Sequence, residues 1–389
     1  MRFPIFLLFT ICSPLFLSAQ QENQHWNLSY SGYIKDLQSY SRLKISQPFD
    51  TTFTYNNNLL HQRLKLELQH DKGFSLRADL RQRLFIGDGL DQDFFNSLDR
   101  ANDFFDLSAS ALSKNERFAW HLMLDRLYAS YYHGKWEVSL GRQRINWGVA
   151  TLWNPNDLFN AYSFTDFDYE ERPGSDALWL RYYPGSTSSI ELAVKAFSGP
   201  DSAVAAMRYR FGIKTWDVQI LTGFAQGDWV LGGGWEGALG PLGFKGETAW
   251  FKPDKSSDKS LQAFAATAEL SYLSKQSHLF QLGYLFNSSA PNIQSVIQLY
   301  NFQARARNLY PFRHTVFLQS QFTLSPLWQT GLTILYSPVK SRPLFLSPNL
   351  RWSFAQNWEL LLIAQLAYEK TDQFQSSLQA WFLRGRFSF

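Results

Sequence analysis

The chain has 389 residues, 45% of them hydrophobic, 17% aromatic and only 18% charged, with a formal net charge of +4. That aromatic content excludes a disordered chain, and a charge so small and scattered excludes a nucleic-acid binder, which carries a clustered basic face. Outside the N-terminus the purely apolar runs are only about five residues long, as at 360–364, against the roughly 18 that a spanning helix needs.

Residues 1–19 read as an export signal. Arg2 supplies the positive start, 3–17 the apolar stretch, and Leu17-Ser18-Ala19 a small residue at the cut. The single cysteine, Cys12, lies inside this segment, and Ile11 before it with the apolar stretch after it argues against a lipid-anchored cysteine. After the cut no cysteine is left for disulfides, thiolate catalysis or Cys-based metal sites. Residues 20–389 then form one domain. Strand patterning begins at Trp26, which leaves no room for an N-terminal plug of the TonB-dependent kind.

From there the chain alternates apolar and polar residues with period two, in segments of roughly ten residues. Trp26, Leu28, Tyr30 and Ile34 alternate with Asn27, Ser29 and Ser31; Leu64, Leu66 and Leu68 with Arg63, Lys65, Glu67 and Gln69. Further on, Trp216, Val218, Ile220 and Phe224 alternate with Asp217, Gln219 and Gly223, and Val316, Leu318, Phe322 and Leu324 with Thr315, Gln319, Gln321 and Thr323. Each strand therefore has one apolar and one polar face, as in a secreted β-sandwich or a membrane barrel.

Three features separate those two. Connections alternate in length: short turns such as 70–73, 133–134, 184–185, 240–241 and 355–357 interleave with a set that includes long links near 39–59, 87–117, 148–175 and 287–311. Short turns on one side and long loops on the other mark an outer-membrane barrel. Tryptophans at 136, 216, 229, 235, 250, 328, 352, 358 and 381 sit near the ends of apolar-face runs, as interfacial girdles require. Finally, Trp381, Leu383, Gly385, Phe387 and the terminal Phe389 share a face, a pattern that resembles the C-terminal signal read by the barrel-assembly machinery. The expectation is an all-β, antiparallel transmembrane barrel of about 18 strands with an aqueous lumen. Sixteen stays open because the strands near 177–183 and 203–211 are weakly patterned.

The polar faces nominate the lumen residues. Arg63, Lys65, Arg77, Arg81 and Arg83 on the second and third strands, with Arg384 and Arg386 on the last, fall on one sector of wall once the barrel closes, and Arg181 and Arg351 add to it. They read either as a basic wall steering anionic solutes or as half of a set of wall-bracing ion pairs with Asp79 and Glu67. The loop 88–106 carries Asp88, Asp91, Asp93, Asp99, Asp103 and Asp106. It is a solvated loop, a constriction facing the basic wall, or a calcium site whose spacing fits no EF-hand. Phe94-Phe95 and Phe104-Phe105 favour a loop that packs against something.

The most distinctive stretch runs Gly141-Arg142-Gln143-Arg144-Ile145-Asn146-Trp147-Gly148, then Trp153-Asn154-Pro155-Asn156-Asp157 and Glu171-Arg172-Pro173-Gly174, with Asp125-Arg126-Leu127-Tyr128 upstream. It resembles porin-like outer-membrane proteins of Gram-negative bacteria, in which a D-R-L-Y strand precedes a G-R-Q strand ending in N-W-G. The resemblance covers residues 120–185 and implies a channel-type barrel. Strict alternation puts Arg142 and Arg144 on the lipid face with Trp136, Val138 and Leu140. Either the strand has left the membrane there, or a bulge at Gly141 turns both inward towards Asp125 or the acidic loop. The group Arg142, Arg144, Asn146, Trp147 and Asp125 reads as a rim clasp before it reads as a ligand site.

Catalysis has little support: the histidines are scattered with no serine motif beside them, and no H-E-x-x-H or phosphate-binding glycine loop occurs. No cofactor or metal is expected. The expected role is passive diffusion of small hydrophilic solutes, with an anion bias, across the outer membrane. The expected surroundings are outer-membrane lipid and lipopolysaccharide. The rivals are a loop-plugged scaffold or binding barrel serving a secretion, assembly or surface complex, and a hydrophobic-solute transporter, which the Arg and Gln of the inner faces oppose. A homo-oligomer is open, since the sequence shows no protomer interface.

Overall fold

The computed structural model describes residues 25–45, 51–90, 94, 103–113, 115–160, 171–199, 201–254, 261–291, 302, 304–370 and 374–389. The expected export segment lies outside them, as do Asp91, Asp93 and Asp99 of the acidic loop.

Alternation with period two is realised as nineteen strands in one sheet. The first nine are β1 (Trp26–Ile45), β2 (Thr51–His70), β3 (Phe74–Gly87), β4 (Ser108–Leu112), β5 (Phe118–His133), β6 (Trp136–Gln143), β7 (Ser175–Gly185), β8 (Ser188–Lys195) and β9 (Val204–Ile213). Then come β10 (Trp216–Ala225), β11 (Asp228–Leu239), β12 (Leu242–Pro253), β13 (Ala263–Leu273), β14 (Leu279–Asn287), β15 (His314–Ser325), β16 (Trp328–Tyr336), β17 (Leu344–Ala355), β18 (Trp358–Lys370) and β19 (Phe374–Ser388). Every neighbouring pair is antiparallel, and β19 closes on β1 from Tyr33–Ser388 to Leu43–Leu378. Closure of β19 on β1 removes the open edge that the first and last strands would otherwise leave, the condition for a sheet in lipid.

Eighteen strands make the barrel; β4 is a five-residue insert. It pairs with β5 from Ser108–Met123 to Leu112–Ala119, beyond the point where β6 leaves β5 at Leu127–Arg142. Both weakly patterned segments are strands, β7 and β9, so the number is eighteen and not sixteen.

The apolar face is turned outward. Leu28, Leu140, Leu178, Ile220, Leu231, Leu282 and Leu318 are exposed, whereas the alternate positions Lys35, Arg63, Arg81, Glu247 and Glu269 are buried inside. Trp328 stacks on Trp352 at 5.0 Å, and Trp358 meets Phe387 at 4.9 Å, on the side of the short turns. Asn357 takes one such turn with φ +67°, a left-handed conformation that asparagine tolerates well among non-glycine residues.

One expected connection is absent. The region 39–59 is mostly strand: β1 and β2 stay paired out to Ile45–Thr51. Above the apolar band the outward face of this hairpin turns polar, with Arg42, Lys44, Thr52, Thr54 and Asn56, while Leu43 and Phe53 pair on the inner face. The apolar-out alternation that reveals strands elsewhere is therefore lost while the pairing continues.

Candidate functional site

The site is the lumen, narrowed by the connection between β6 and β7. Where that connection starts, Gly141 adopts φ +120°, and a Cβ there would lie 2.3 Å from the Leu127 carbonyl. The register of β6 with β5 and β7 nevertheless continues unshifted to Arg142. Arg142 is 1% exposed and fills the place that β6 vacates in the wall. Its Nε and Nη2 donate to the Asp176 carboxylate at 2.9 and 2.8 Å, and Nη1 to the Leu124 carbonyl at 3.4 Å. Nη2 also reaches the Phe105 carbonyl, which brings in the acidic loop. The Phe105 N–H donates to Asp176 at 2.8 Å, the Asp176 N–H to Asp103 at 2.7 Å, and Lys195 pairs with Asp103 at 2.5 Å. The described end of the acidic loop is thus built into the wall between β5 and β7. Asp106 caps Ser108 at the start of β4, and Asp88 accepts from the Asn56 N–H at 3.1 Å.

Beyond Arg142 the chain enters the barrel. Trp147 is fully buried, donating from Nε1 to Glu191 on β8 at 3.0 Å, while its carbonyl accepts from Gln219 on β10 at 2.6 Å. Two carboxylates then hold the backbone. Glu247 on β12 accepts the N–H groups of Val149, Ala150 (2.7 Å) and Asn156 (3.0 Å). Glu269 on β13 accepts those of Thr151 (2.9 Å) and Leu152 (3.4 Å). The Asn156 amide donates to the Gly233 carbonyl at 2.8 Å, and Gly232 makes that approach fit, since a Cβ there would lie 2.4 Å from the Asn156 Oδ1. Trp153 packs on Phe317 at 5.6 Å and on Tyr310 at 5.5 Å, inside a buried apolar cluster with Leu285 and Phe312.

The returning end of the connection lies on the opposite wall. Glu171 pairs with Arg63 at 2.7 Å and with Lys65, both on β2. The described residues of the connection are therefore tied to β8 and β10–β15 on one side of the lumen and to β2 on the other. Arg172 crosses back to Asp157 at 2.9 Å. Burial pushes the Asp157 carboxyl up to about 6 against the pull of Arg172 and Arg144, and burial together with Arg172 lowers the Arg144 guanidinium.

The arginines of β2 and β3 face inward, paired across the strands as Arg63–Arg81, Lys65–Asp79 and Glu67–Arg77. Carboxylates accompany them. Arg63 donates to Asp125 at 2.5 Å and to Asp79 at 3.1 Å; Arg81 meets Asp125 at 3.2 Å; Arg77 donates to Asp79 at 2.9 Å. Arg83 reaches the His121 ring at 3.2 Å, and Arg384 on β19 donates to Glu359 at 3.0 Å. Arg386 covers the Tyr33 ring at 4.6 Å. Arg181 binds Glu137, and Arg351 lies 3.5 Å from Glu359. Asp125 continues the inward face of Ala119, His121 and Met123, and the β3–β5 register slips between Asp79 and Leu80, so the next residue, Arg126, turns in beside it.

The structure thus separates the expected rim clasp. Arg142 belongs to the wall, Trp147 to the loop's anchorage, Asp125 to the arginine cluster, and Asn146 is exposed. Arg144 lines the remaining space, a polar pocket of about 520 Å³ bounded by Arg77, Tyr128, Glu137, Glu171 and Arg181. Among the described residues it makes no ion pair or hydrogen bond. The loop's anchors Glu191, Gln219, Glu247 and Glu269 were not singled out from the sequence. Their signal was one inward Glu or Gln on each of four strands. Among the described residues no cluster of potential ligands would hold a metal ion.

No protein-family model matches the chain, and no curated protein does. Among solved structures it is similar to OccAB4 of Acinetobacter baumannii, with 12% identity and a TM-score of 0.58 over 93% of this chain and 98% of that one. It is also similar to OccK9 (OpdG) of Pseudomonas aeruginosa, at 11%, 0.59, 93% and 98%, and to OpdQ of the same organism, at 8%, 0.58, 93% and 99%. The likeness is one of fold, a closed antiparallel barrel of eighteen strands.

Proposed function

We propose that the protein is an outer-membrane channel for passive diffusion of small hydrophilic solutes, narrowed by the β6–β7 connection. The observation that carries this reading is the combination of a loop tied to opposite walls with a polar, charge-lined space of about 520 Å³ left beside it. A lumen lined in this way offers hydrogen bonds to a solute shedding part of its hydration shell, and little to a hydrophobic one. Among the described residues, the charged lining of that space counts against the hydrophobic-solute alternative.

The anion bias rests on a single group in this reading. Arg63, Arg77 and Arg81 of β2 and β3 face carboxylates at short range, so their field is largely cancelled, and in the pocket beside the loop Arg144 is the cation that meets the solute. Planar-bilayer recording of the refolded protein under a KCl gradient tests both statements. A stable conductance with an anion-biased reversal potential that moves towards zero in Arg144→Gln supports them. A heat-resistant barrel that never conducts overturns the channel and leaves the scaffold reading in its place.

A further inference from the structure

Between the aromatic girdles, the outward positions of β5 to β19 are apolar or small: Leu122, Leu140, Leu180, Leu192, Met207, Ile220, Leu231, Ala268, Leu282, Leu318, Ile334, Leu362 and Leu383. The outward faces of β1, β2 and β3 differ. Even-numbered positions of β1 look out, as the exposure of Leu28, Tyr30 and Tyr40 and the burial of Tyr33, Lys35 and Leu37 fix. Asp36 and Gln38 are therefore external. Register carries the face onto β2, where Gln38 opposes Asn58 and Ile34 opposes Gln62, and onto β3, where Gln62 opposes Gln82.

These groups do not lie above the apolar band. Leu60 and Leu64 flank Gln62 along β2, and Leu80 and Leu84 flank Gln82 along β3. Asp36 lies opposite Gly385 of β19, between the outward residues Phe387 and Leu383. Asn58 donates to Asp36 at 2.5 Å, but among the described residues the side chains of Gln38, Gln62 and Gln82 have no hydrogen-bond partner within the chain. Acyl chains offer no donors or acceptors, so amides and a carboxylate facing them stay unsatisfied.

We propose that this face of β1–β3 is the contact between copies of the chain in the membrane. The chemistry favours a second copy over a foreign partner. A carboxamide both donates and accepts, so a patch made mostly of Gln and Asn is complementary to itself, as symmetric assembly requires. The patch carries one ionisable group, Asp36, and an excess of amide donors to meet it. At Gly385, where an added Cβ would touch nothing, the surface is flat enough for close approach.

The strands contain no cysteine, because the only one is Cys12, so a single thiol can be placed at will. Gln62→Cys in intact outer membranes, treated with a short bis-maleimide, is expected to give a homodimer band, and Leu318→Cys on β15 none. Native mass spectrometry in mild detergent is expected to show an oligomer for the parent chain. The triple variant Asp36→Leu, Gln62→Leu, Gln82→Leu should give a monomer with an unchanged heat-modifiable gel shift, since leucine suits a lipid-facing strand. Cross-linking of Gln62→Cys to a different protein, equal cross-linking from both sites, or a monomeric parent chain would overturn the proposal.

Discussion

The Glu247 carboxylate on β12 accepts the Asn156 N–H at 3.0 Å, a bond between one wall of the barrel and the loop in its lumen. Because Glu247 also accepts the N–H groups of Val149 and Ala150, one side chain holds both limbs of the loop's deepest turn. Hydrogen bonds to a charged group contribute about 1.5–3 kcal/mol each, so three of them outweigh the thermal tendency of a loop to swing.

Glu247→Ala should therefore release the loop without unfolding the barrel. The expected result is a larger single-channel conductance with frequent transitions between levels, and an unchanged gel shift on heating. Glu247→Gln keeps an acceptor but loses the charge, and should fall between the two. An Ala variant with parent conductance and quiet traces would show that Glu269 and the Trp153 packing suffice to hold the loop.

In the wall opposite, Asp125 sits between Arg63 at 2.5 Å and Arg81 at 3.2 Å, all three about 1% exposed or less. Removing one partner of such a cluster leaves charge buried and unmatched, at a cost of about 3–5 kcal/mol. Asp125→Asn should lower the urea midpoint of the barrel in lipid vesicles, and Arg81→Met combined with Asp125→Asn should recover part of the loss. Arg63 is left with Asp79 and Glu171 in either case, which limits the damage.

These two sites were unequally legible beforehand. Outward Leu28, Leu66 and Leu318 alternate visibly with polar neighbours, and the terminal Phe387 and Phe389 mark the last strand, so the barrel follows from local pattern alone. The inward placing of Arg63 and Arg81 follows from the same parity. Asp125 shares that parity with His121 and Met123, but the bulge that turns Arg126 in beside it is missed by period-two counting. Glu247 and Glu269 lie about 100 residues along the chain from the loop they hold, and a lone glutamate on a strand says nothing about which backbone will enter the lumen to meet it. Arg142 shows the reverse case. Strict alternation sent it towards lipid, and the structure keeps the register but covers the charge with Asp176 and the Phe105 carbonyl.

Asp157 makes the lumen sensitive to mild acid. Its carboxyl, raised by burial to about 6 from an ordinary value near 4, is neutral below that pH and charged above it. The sign for stability follows: the folded state binds the proton more tightly, so stability from this group is fullest below about 4 and is lost as pH rises through about 6. For conduction, protonation removes the negative charge facing Arg172 and Arg144. Anion preference should therefore strengthen as pH falls from 7.5 to 5, read as a shift in reversal potential, and Asp157→Asn should hold the acidic value throughout. A parent channel whose reversal potential is flat across that range would place Asp157 away from the ion path.

Gly232 offers a test of loop seating that changes no charge. A Cβ at that position would lie 2.4 Å from the Asn156 Oδ1 and 3.0 Å from Leu221, so alanine must displace one of them. Leu221 is 1% exposed and packed among Ala206, Val230 and Ala249, whereas Asn156 belongs to the loop, so the loop should yield first. The Asn156 bond to the Gly233 carbonyl, 2.8 Å long, is lost with it, at about 0.5–1.5 kcal/mol. Gly232→Ala should then reproduce in weaker form the raised, noisier conductance of Glu247→Ala, with the reversal potential unmoved. If the Gly232 variant lowered conductance instead, the loop would have been pushed further across the lumen, and the pocket beside Arg144 would be the part of the path that narrowed.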